Sequence, residues 1–395
     1  MNADTDIAIV GGGPVGAALA LALHNSDLRV TVLEARSEQA RDPRPIALSH
    51  GSRLLLERLG VWLAIAQTAE KTAAPTPIHH IHVSQRGGFG RVAISAADTG
   101  VPALGYVLDY HSVSAALAEA AKNAGGDTRY SEGARVTALH RDGENQGVNY
   151  THDGAAATLT ARLVVVADGG EIDGLAPLKT VDYAQHALTA RVRTALRHQH
   201  VAYERFTPEG PLALLPFNDD MALVWTLTPA RAAELKDADE KTFLAALRLA
   251  FGARLGDFTA VKQRTGYPLT LRHTTDAAVP GVITIGNAAQ TLHPVAGQGF
   301  NLGLRDAWEL ARLLRTIPAQ ALANYNTMRD VTRSYRANRR FDRTATVAAT
   351  HGLVRLFSND FFPAHVLRGA GMTLLGSLAP VRDLLARRMI FGARG

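Results

Sequence analysis

The turn Gly11-Gly12-Gly13-Pro14-Val15-Gly16 follows the apolar run Ile7-Ala8-Ile9-Val10 and leads into the helix-forming run Ala17 to His24. A second extended run, Arg29-Val30-Thr31-Val32-Leu33-Glu34, completes a βαβ unit of about thirty residues. Gly11, Gly13 and Gly16 match G-x-G-x-x-G in the context that gives the pattern meaning, with a strand before it and a helix after. Gly11 permits the tight turn, Gly13 lets a pyrophosphate approach the backbone, and Gly16 lets helix and strand pack closely, with the helix N-terminus facing the anion. Glu34 ends the second strand, where a carboxylate accepts hydrogen bonds from an adenosine ribose. An acid there disfavours a 2′-phosphate, so this half-site is expected to hold FAD or NAD and not NADP. The first turn alone does not separate those two.

Beyond Glu34 the pattern alternates. A helix is expected over His50 to Leu59, strands at His80 to Val83 and Arg91 to Ile94, and an alanine-rich helix from Ser112 to Asn123. Leu163-Val164-Val165-Val166-Ala167 is almost wholly apolar, as a parallel strand covered on both faces must be. Asp168-Gly169-Gly170 follows as a turn. From about Ala176 to Thr265 the texture changes to short strands (Ala187 to Val192, Leu212 to Leu215, Met221 to Leu227) and a helix from Glu240 to Phe251, which reads as an inserted antiparallel sheet with a covering helix. The chain returns to the first unit at Val282-Ile283-Thr284-Ile285, and a helix is expected over Leu302 to Leu314.

The loop Gly286-Asn287-Ala288-Ala289-Gln290-Thr291-Leu292-His293-Pro294-Val295-Ala296-Gly297-Gln298-Gly299-Phe300-Asn301 joins that returning strand to that helix. It resembles the ribityl-binding motif of flavin-dependent aromatic hydroxylases, with the usual Gly-Asp pair appearing as Gly286-Asn287. Asn keeps both acceptor and donor for ribityl hydroxyls. The run to Asp306, the run Glu204-Arg205-Phe206-Thr207-Pro208-Glu209-Gly210-Pro211 and the segment Leu353 to Arg388 resemble the ubiquinone-biosynthesis hydroxylases, and within them the 2-polyprenyl-6-methoxyphenol hydroxylase branch.

The resemblance implies an α/β fold: a Rossmann-like FAD-binding domain of the aromatic-hydroxylase type (1–75, 101–175 and 266–325), an inserted antiparallel-sheet substrate domain (76–100 and 176–265) and a C-terminal helical, basic region (326–395). It also implies FAD as cofactor, NAD(P)H as electron donor, O2 as co-substrate, and oxygen transfer through a flavin C4a-hydroperoxide to a polyprenylated phenol. Cofactor contacts are then expected from Gly11, Gly13, Gly16, Glu34, Arg44, Asp168, Gly286, Asn287, Gly299, Phe300 and Asn301. The Ser and Arg that often follow the Asp168-Gly169 turn in such enzymes are missing here. Arg44 is placed near flavin phosphate and ring, Pro294 with Val295 forms a dry floor, and His293 is the candidate to activate the phenol. A hydroxylase of a small soluble aromatic and a flavin-binding scaffold are the alternatives.

Composition removes several chemistries. The chain of 395 residues has no cysteine, which excludes disulfides, thiolate catalysis and thiolate metal sites. His79, His80 and His82, like His198 and His200, lack nearby carboxylates in sequence, so no metal is expected. The net charge of +6 is concentrated: from Arg329 onward there are twelve arginines, no lysine and four aspartates. Apolar clusters in the same region (Leu353 to Phe357, Met372 to Leu375, Leu384-Leu385) sit among those arginines. That pairing suits a helical region that meets an anionic lipid surface, or other ubiquinone-biosynthesis proteins. The expected location is cytoplasmic, peripheral to the inner membrane, and no recognisable nucleic-acid module accompanies the arginines. Ile7 to Leu23 is apolar but follows Asp4 and Asp6 and is rich in glycine, unlike a signal peptide or a span.

Overall fold

The strand Thr5–Val10 is buried at all six positions. It pairs in parallel with Val30–Glu34 on one side and with the second half of Ala155–Val166 on the other. Thr128–Glu132 adds beyond Val30–Glu34, and Val282–Thr284 adds beyond Val166, both in parallel. Alternate side chains enter two cores. Ile7, Ile9, Val30, Leu163 and Val165 meet one, with the helices Pro14–Leu23, Tyr110–Lys122 and Gln298–Leu314. Ala8, Val10, Leu33, Val164 and Val166 meet the other, under the hairpin of Ala134–Asp142 and Asn145–His152. The near-continuous apolar runs in the sequence have their cause in this two-sided burial. This computed structural model describes residues 3–38, 42, 44–70, 74–169, 172–175, 178–274, 280–291, 298–357 and 362–392.

The second sheet has eight strands and two unequal faces. Its spine is a pair of 17-residue strands, Leu178–Thr194 and Phe258–Thr274. Asp220–Leu227, Gly210–Phe217 and Val201–Thr207 follow antiparallel to one another, and then His80–Gln85 joins in parallel and Arg91–Ser95 closes the edge. One face carries Leu212, Leu214, Leu223 and Trp225, packed under the helices Pro229–Asp237 and Glu240–Phe251. Thr228 and Asp239 cap those helices, each side chain accepting a backbone N–H three residues on. The other face, with Ala202, Phe206 and Ala222, turns toward the first domain and packs on Ile78, Leu104 and Val107. Ile78 and Val107 belong to a small antiparallel sheet of Pro45–Ser49, Gly105–Asp109 and Thr76–Ile78, and Leu104 directly precedes its middle strand.

Several elements differ from the sequence reading. The strand expected at Ala187 to Val192 extends to Leu178–Thr194, crossing irregular steps such as Asp182 to Gln185, where Ala184 has φ 50°. Such bulges break the period of two that marks a strand. Phe258–Thr274 runs past the expected return to the first domain at 266. Val201–Thr207, Trp62–Glu70 and Pro229–Asp237 had no expectation. The helix expected from Leu302 starts at Gln298, one turn earlier.

Three helices end the chain: Tyr325–Phe357, Phe362–Ser377 and Ala379–Phe391. The second lies on the edge strand Arg91–Ser95, so closely that a Cβ at Gly90 would stand 2.3 Å from the Gly369 carbonyl oxygen. A bare sheet edge is thereby covered. Met372, expected on the apolar surface, is 4% exposed and belongs to the core behind that edge, whereas Leu374, Leu378, Val381, Leu384 and Leu385 are exposed. Among the described residues no helix is long and apolar enough to cross a membrane.

Candidate active site

The strands Thr5–Val10, Val30–Glu34, Ala155–Val166 and Val282–Thr284 run in one direction, so their carboxyl ends open on one edge of the sheet. In open α/β sheets that edge is where ligands bind. Four segments predicted from sequence converge there. Gly11 (φ 97°) lies against the Asp168 turn: a Cβ would stand 2.8 Å from the Asp168 amide nitrogen. Gly169 faces Asn287, with 3.7 Å from its virtual Cβ to the Asn287 Cβ. Gly286 and Gly303 close on Val15, at 3.1 Å and 2.8 Å by the same measure. The first turn and the second loop are thus in direct contact through Val15.

The first turn has a rigid frame. The Gly12 N–H donates to Glu34 Oε2 at 2.7 Å, and the Arg36 backbone N–H and Nε both donate to Oε1 at 3.0 Å. Glu34 is 5% exposed, and its position at the end of the strand fixes the turn through its first oxygen while the second is held by Arg36. The Tyr130 phenol donates to the Gly12 carbonyl at 2.9 Å. Burial, and then the neighbouring Glu34 carboxylate, push that phenol above its ordinary value, so it stays a donor at neutral pH. Tyr130 was not anticipated. Its only sequence signal is an aromatic on the strand Thr128–Glu132.

Beside this frame lies a cavity of about 450 Å³, lined by Val10, Leu33, Ala35, Val136, Thr137 and Asp168 among others. Its lining is mixed, with Arg135, Thr137, Asp168 and Asp173 beside Val10, Leu33 and Val136. Among the described residues no atom lies within 4 Å of the virtual Cβ of Gly13 or of Gly299.

The second loop is held from further away. The Gly286 N–H donates to Asp306 Oδ2 at 3.1 Å, and Arg339 Nε donates to Asp306 Oδ1 at 2.7 Å. Arg339 also pairs with Asp342 at 2.7 Å, and Arg305 approaches the same Asp342 at 3.4 Å. Asp306 is 0% and Arg339 4% exposed, so the helix Gln298–Leu314 is bolted to Tyr325–Phe357 by buried charge. Asn301, 1% exposed, accepts the Ser49 N–H at 2.8 Å and donates to the Ala47 carbonyl at 2.9 Å. Its side chain therefore ties the helix start to the small sheet, and what Gly299, Phe300 and Asn301 present to the site is the N-terminal turn of a helix. Phe300 meets Tyr110 edge-on at 6.1 Å.

Arg44 stands at the junction of the two domains. Its guanidinium pairs with Asp42, with Nε 2.8 Å from each carboxylate oxygen, and lies over Tyr110 at 5.7 Å and Tyr267 at 5.1 Å. Tyr267 comes from the second sheet, so Arg44 links the two domains. Arg191 makes a second crossing, to Asp109 at 3.0 Å. His293 and Pro294 lie outside the described residues. Two of the histidines considered for metal tie turns: His198 Nε2 lies 2.5 Å from the Asn218 carbonyl, and His200 Nδ1 lies 3.1 Å from that of Pro77.

Comparison with known proteins identifies the family and the fold. Residues 4–335 match a family described as FAD binding domain. The chain is 33% identical to the ubiquinone hydroxylase UbiL of Rhodospirillum rubrum, over 97% of this chain and 88% of that protein. It is 31% identical to the 3-demethoxyubiquinol 3-hydroxylase of Escherichia coli, over 94% of each. The crystal structure of p-nitrophenol 4-monooxygenase PnpA from Pseudomonas putida shares the fold, with a TM-score of 0.74, 18% identity and 100% of both chains covered.

Proposed function

The chain belongs to the FAD-binding-domain family and, within it, to the ubiquinone-biosynthesis hydroxylases, and from that premise we propose that it hydroxylates the ring of a polyprenylated phenol, using NAD(P)H and O2. The observation that carries this reading is near full-length similarity to two hydroxylases of that pathway. The step at 2-polyprenyl-6-methoxyphenol is the one we assign.

The residues fit FAD by the space they leave. Gly13 has no described atom where a side chain would intrude, and the cavity beside Glu34 is of a size for a nucleoside. In the proposed complex, Gly13 and the start of Pro14–Leu23 hold the pyrophosphate, Glu34 the ribose, Asp168 and Asn287 the central part, and Arg44 the junction with the ring. When bound and reduced, FAD supplies the activation of O2. Gly299, Phe300 and Asn301, at a helix N-terminus, favour negative charge on the ring system. Pro294 with Val295 is assigned the dry floor, and His293 the hydrogen-bonding rim of that loop.

The exposed Leu374, Leu378, Val381, Leu384 and Leu385, with Arg387 and Arg388 beside them, suit contact with an anionic lipid surface from which a prenyl tail is drawn. The test is complementation of ubiquinone-deficient strains, each lacking one ring hydroxylation, with mass analysis of the accumulated intermediate. Rescue of the strain blocked at 2-polyprenyl-6-methoxyphenol is expected, and rescue of none would assign the protein to soluble aromatics. The purified protein is also expected to sediment with anionic vesicles, and the double variant Leu384→Glu/Leu385→Glu to stay in the supernatant.

A further inference from the structure

Hydroxylating a phenol needs a base, because the neutral ring is a weaker nucleophile than its phenolate and an ordinary phenol ionises only near pH ~10. A carboxylate stands on the face of the second sheet that turns toward the first domain. Glu204 lies between Ala202 and Phe206, whose side chains belong to the core on that face, while Tyr203 and Arg205 point to the helix-covered side, Arg205 reaching the Ala250 carbonyl at 3.2 Å. Strand register places Glu204 in a transverse row with Val83, Ala213, Val224, Thr189 and Thr265. Every member of that row keeps accessible surface, and Thr265 at its end is exposed. The row beside it is closed: Gln85, Phe206, Pro211, Thr226 and Ala187 are all buried. A trough therefore crosses the sheet beneath the first domain, with small or apolar walls and one carboxylate. Arg191–Asp109 and Arg44–Tyr267 bridge to the first domain near its open end.

Among the described residues the Glu204 carboxylate has neither a hydrogen-bond donor nor a cation. Among the described residues, the sheet side chains around it on this face (Ala202, Phe206, Val83, Ile81, Ala213 and Leu215) do not ionise. Arg191, three strands away on the same face, is engaged by Asp109. A carboxylate in a largely apolar setting with no partner among the described residues costs stability, and such groups recur where chemistry is done.

We propose that Glu204 is the proton acceptor for the substrate phenol, an inference that rests on the hydroxylase reading above. The phenol O–H bond breaks, its electron pair stays on the phenol oxygen, and the proton passes to a Glu204 carboxylate oxygen. No electron is transferred, and the carboxylate is regenerated when the proton leaves along the trough to solvent at Thr265. Burial alone pushes this carboxyl up to about 7, so the base is available at neutral pH and matched to a proton that must be taken and released.

The test uses FAD-loaded enzyme and 2-geranylphenol, comparing wild type with Glu204→Gln. Wild type is expected to hydroxylate the probe with a rate that rises with pH through about 7, and its ultraviolet difference spectrum to show bound phenolate over the same range. Glu204→Gln is expected to keep bound FAD, lose the phenolate signal and slow hydroxylation roughly 100-fold. A 2-geranylphenol made more acidic by ring fluorines that leave the reacting carbon free is expected to lose less rate in Glu204→Gln than the parent phenol does, which a merely structural defect would not allow. Equal phenolate signal and equal pH profile in the variant, with wild type active, would overturn the role of Glu204 alone. A wild type that neither binds nor hydroxylates any prenylphenol would overturn the hydroxylase reading and this inference with it.

Discussion

The turn at Gly11–Gly16 and the turn at Gly286 touch through Val15, yet they are held in different ways. The first is shaped by sterics within its own unit: Gly16 packs so closely that a Cβ would stand 2.0 Å from the Gly11 carbonyl oxygen, and Glu34 and Tyr130 hold the backbone between. The second is shaped by charge brought from elsewhere, Asp306 and Arg339, and by Asn301 reaching back to Ser49 and Ala47. A short local motif thus carries its own scaffold, whereas a long loop borrows one from the C-terminal helix.

The strongest way to break that contrast is Arg339→Met. It takes one buried cation from both Asp306 and Asp342, and breaking a buried ion pair from one side typically costs about 3–5 kcal/mol. Thermal unfolding should reveal the loss, and FAD should dissociate more readily because Gly286 loses a fixed partner. The double variant Asp306→Leu/Arg339→Met sharpens the point. Stability should largely return, since replacing a whole buried pair with apolar side chains is often neutral, while FAD affinity stays low because the Gly286 N–H has no acceptor. Full recovery of FAD binding would show that the network supports only the helix pair and not the loop.

Gly16→Ala comes next. The atom it strikes is a backbone oxygen, with no flexible side chain to yield, so the cost sits at the upper end of about 1–3 kcal/mol for overpacking. The damage should fall on the first turn: FAD titration should weaken while the Asp306–Arg339 pair, and the helix content it holds, persist. If instead both turns fail together, their contact through Val15 couples them more strongly than their separate scaffolds suggest.

The same contrast explains what was legible in the sequence. Glycine spacing, strand and acid recur within thirty residues, so the first turn and Glu34 could be placed from pattern alone. The second loop was recognisable by its own residues, but its support was not: Asp306 and Arg339 are 33 positions apart and Ser49 and Asn301 are 252 apart. An acid among Gly303, Leu304, Ala307 and Leu310 was the visible signal for Asp306, and the arginine-rich tail concealed Arg339 among residues read as a solvated or lipid-facing surface. Glu204 was noted as part of a family-like run and not as a carboxylate, because which face of a strand it joins depends on the register of four neighbours. Bulges in Leu178–Thr194 and Phe258–Thr274 hid the sheet's longest strands for a similar reason, since each bulge resets which residues share a face.

The smallest expected effect tests whether the first turn relies on anything beyond sterics. Tyr130→Phe removes one hydrogen bond, to the Gly12 carbonyl, and leaves the ring that fills the space beside Glu34. A single neutral hydrogen bond is worth about 1 kcal/mol net, so FAD affinity should fall no more than ~5-fold and unfolding should shift slightly. Glu34 still receives the Gly12 N–H and the two Arg36 donors, which is why the turn should keep its shape. A much larger loss of FAD in a stably folded Tyr130→Phe protein would mean that the phenol orients the glycine peptide toward the pyrophosphate, making the first turn, like the second, dependent on a residue far along the chain.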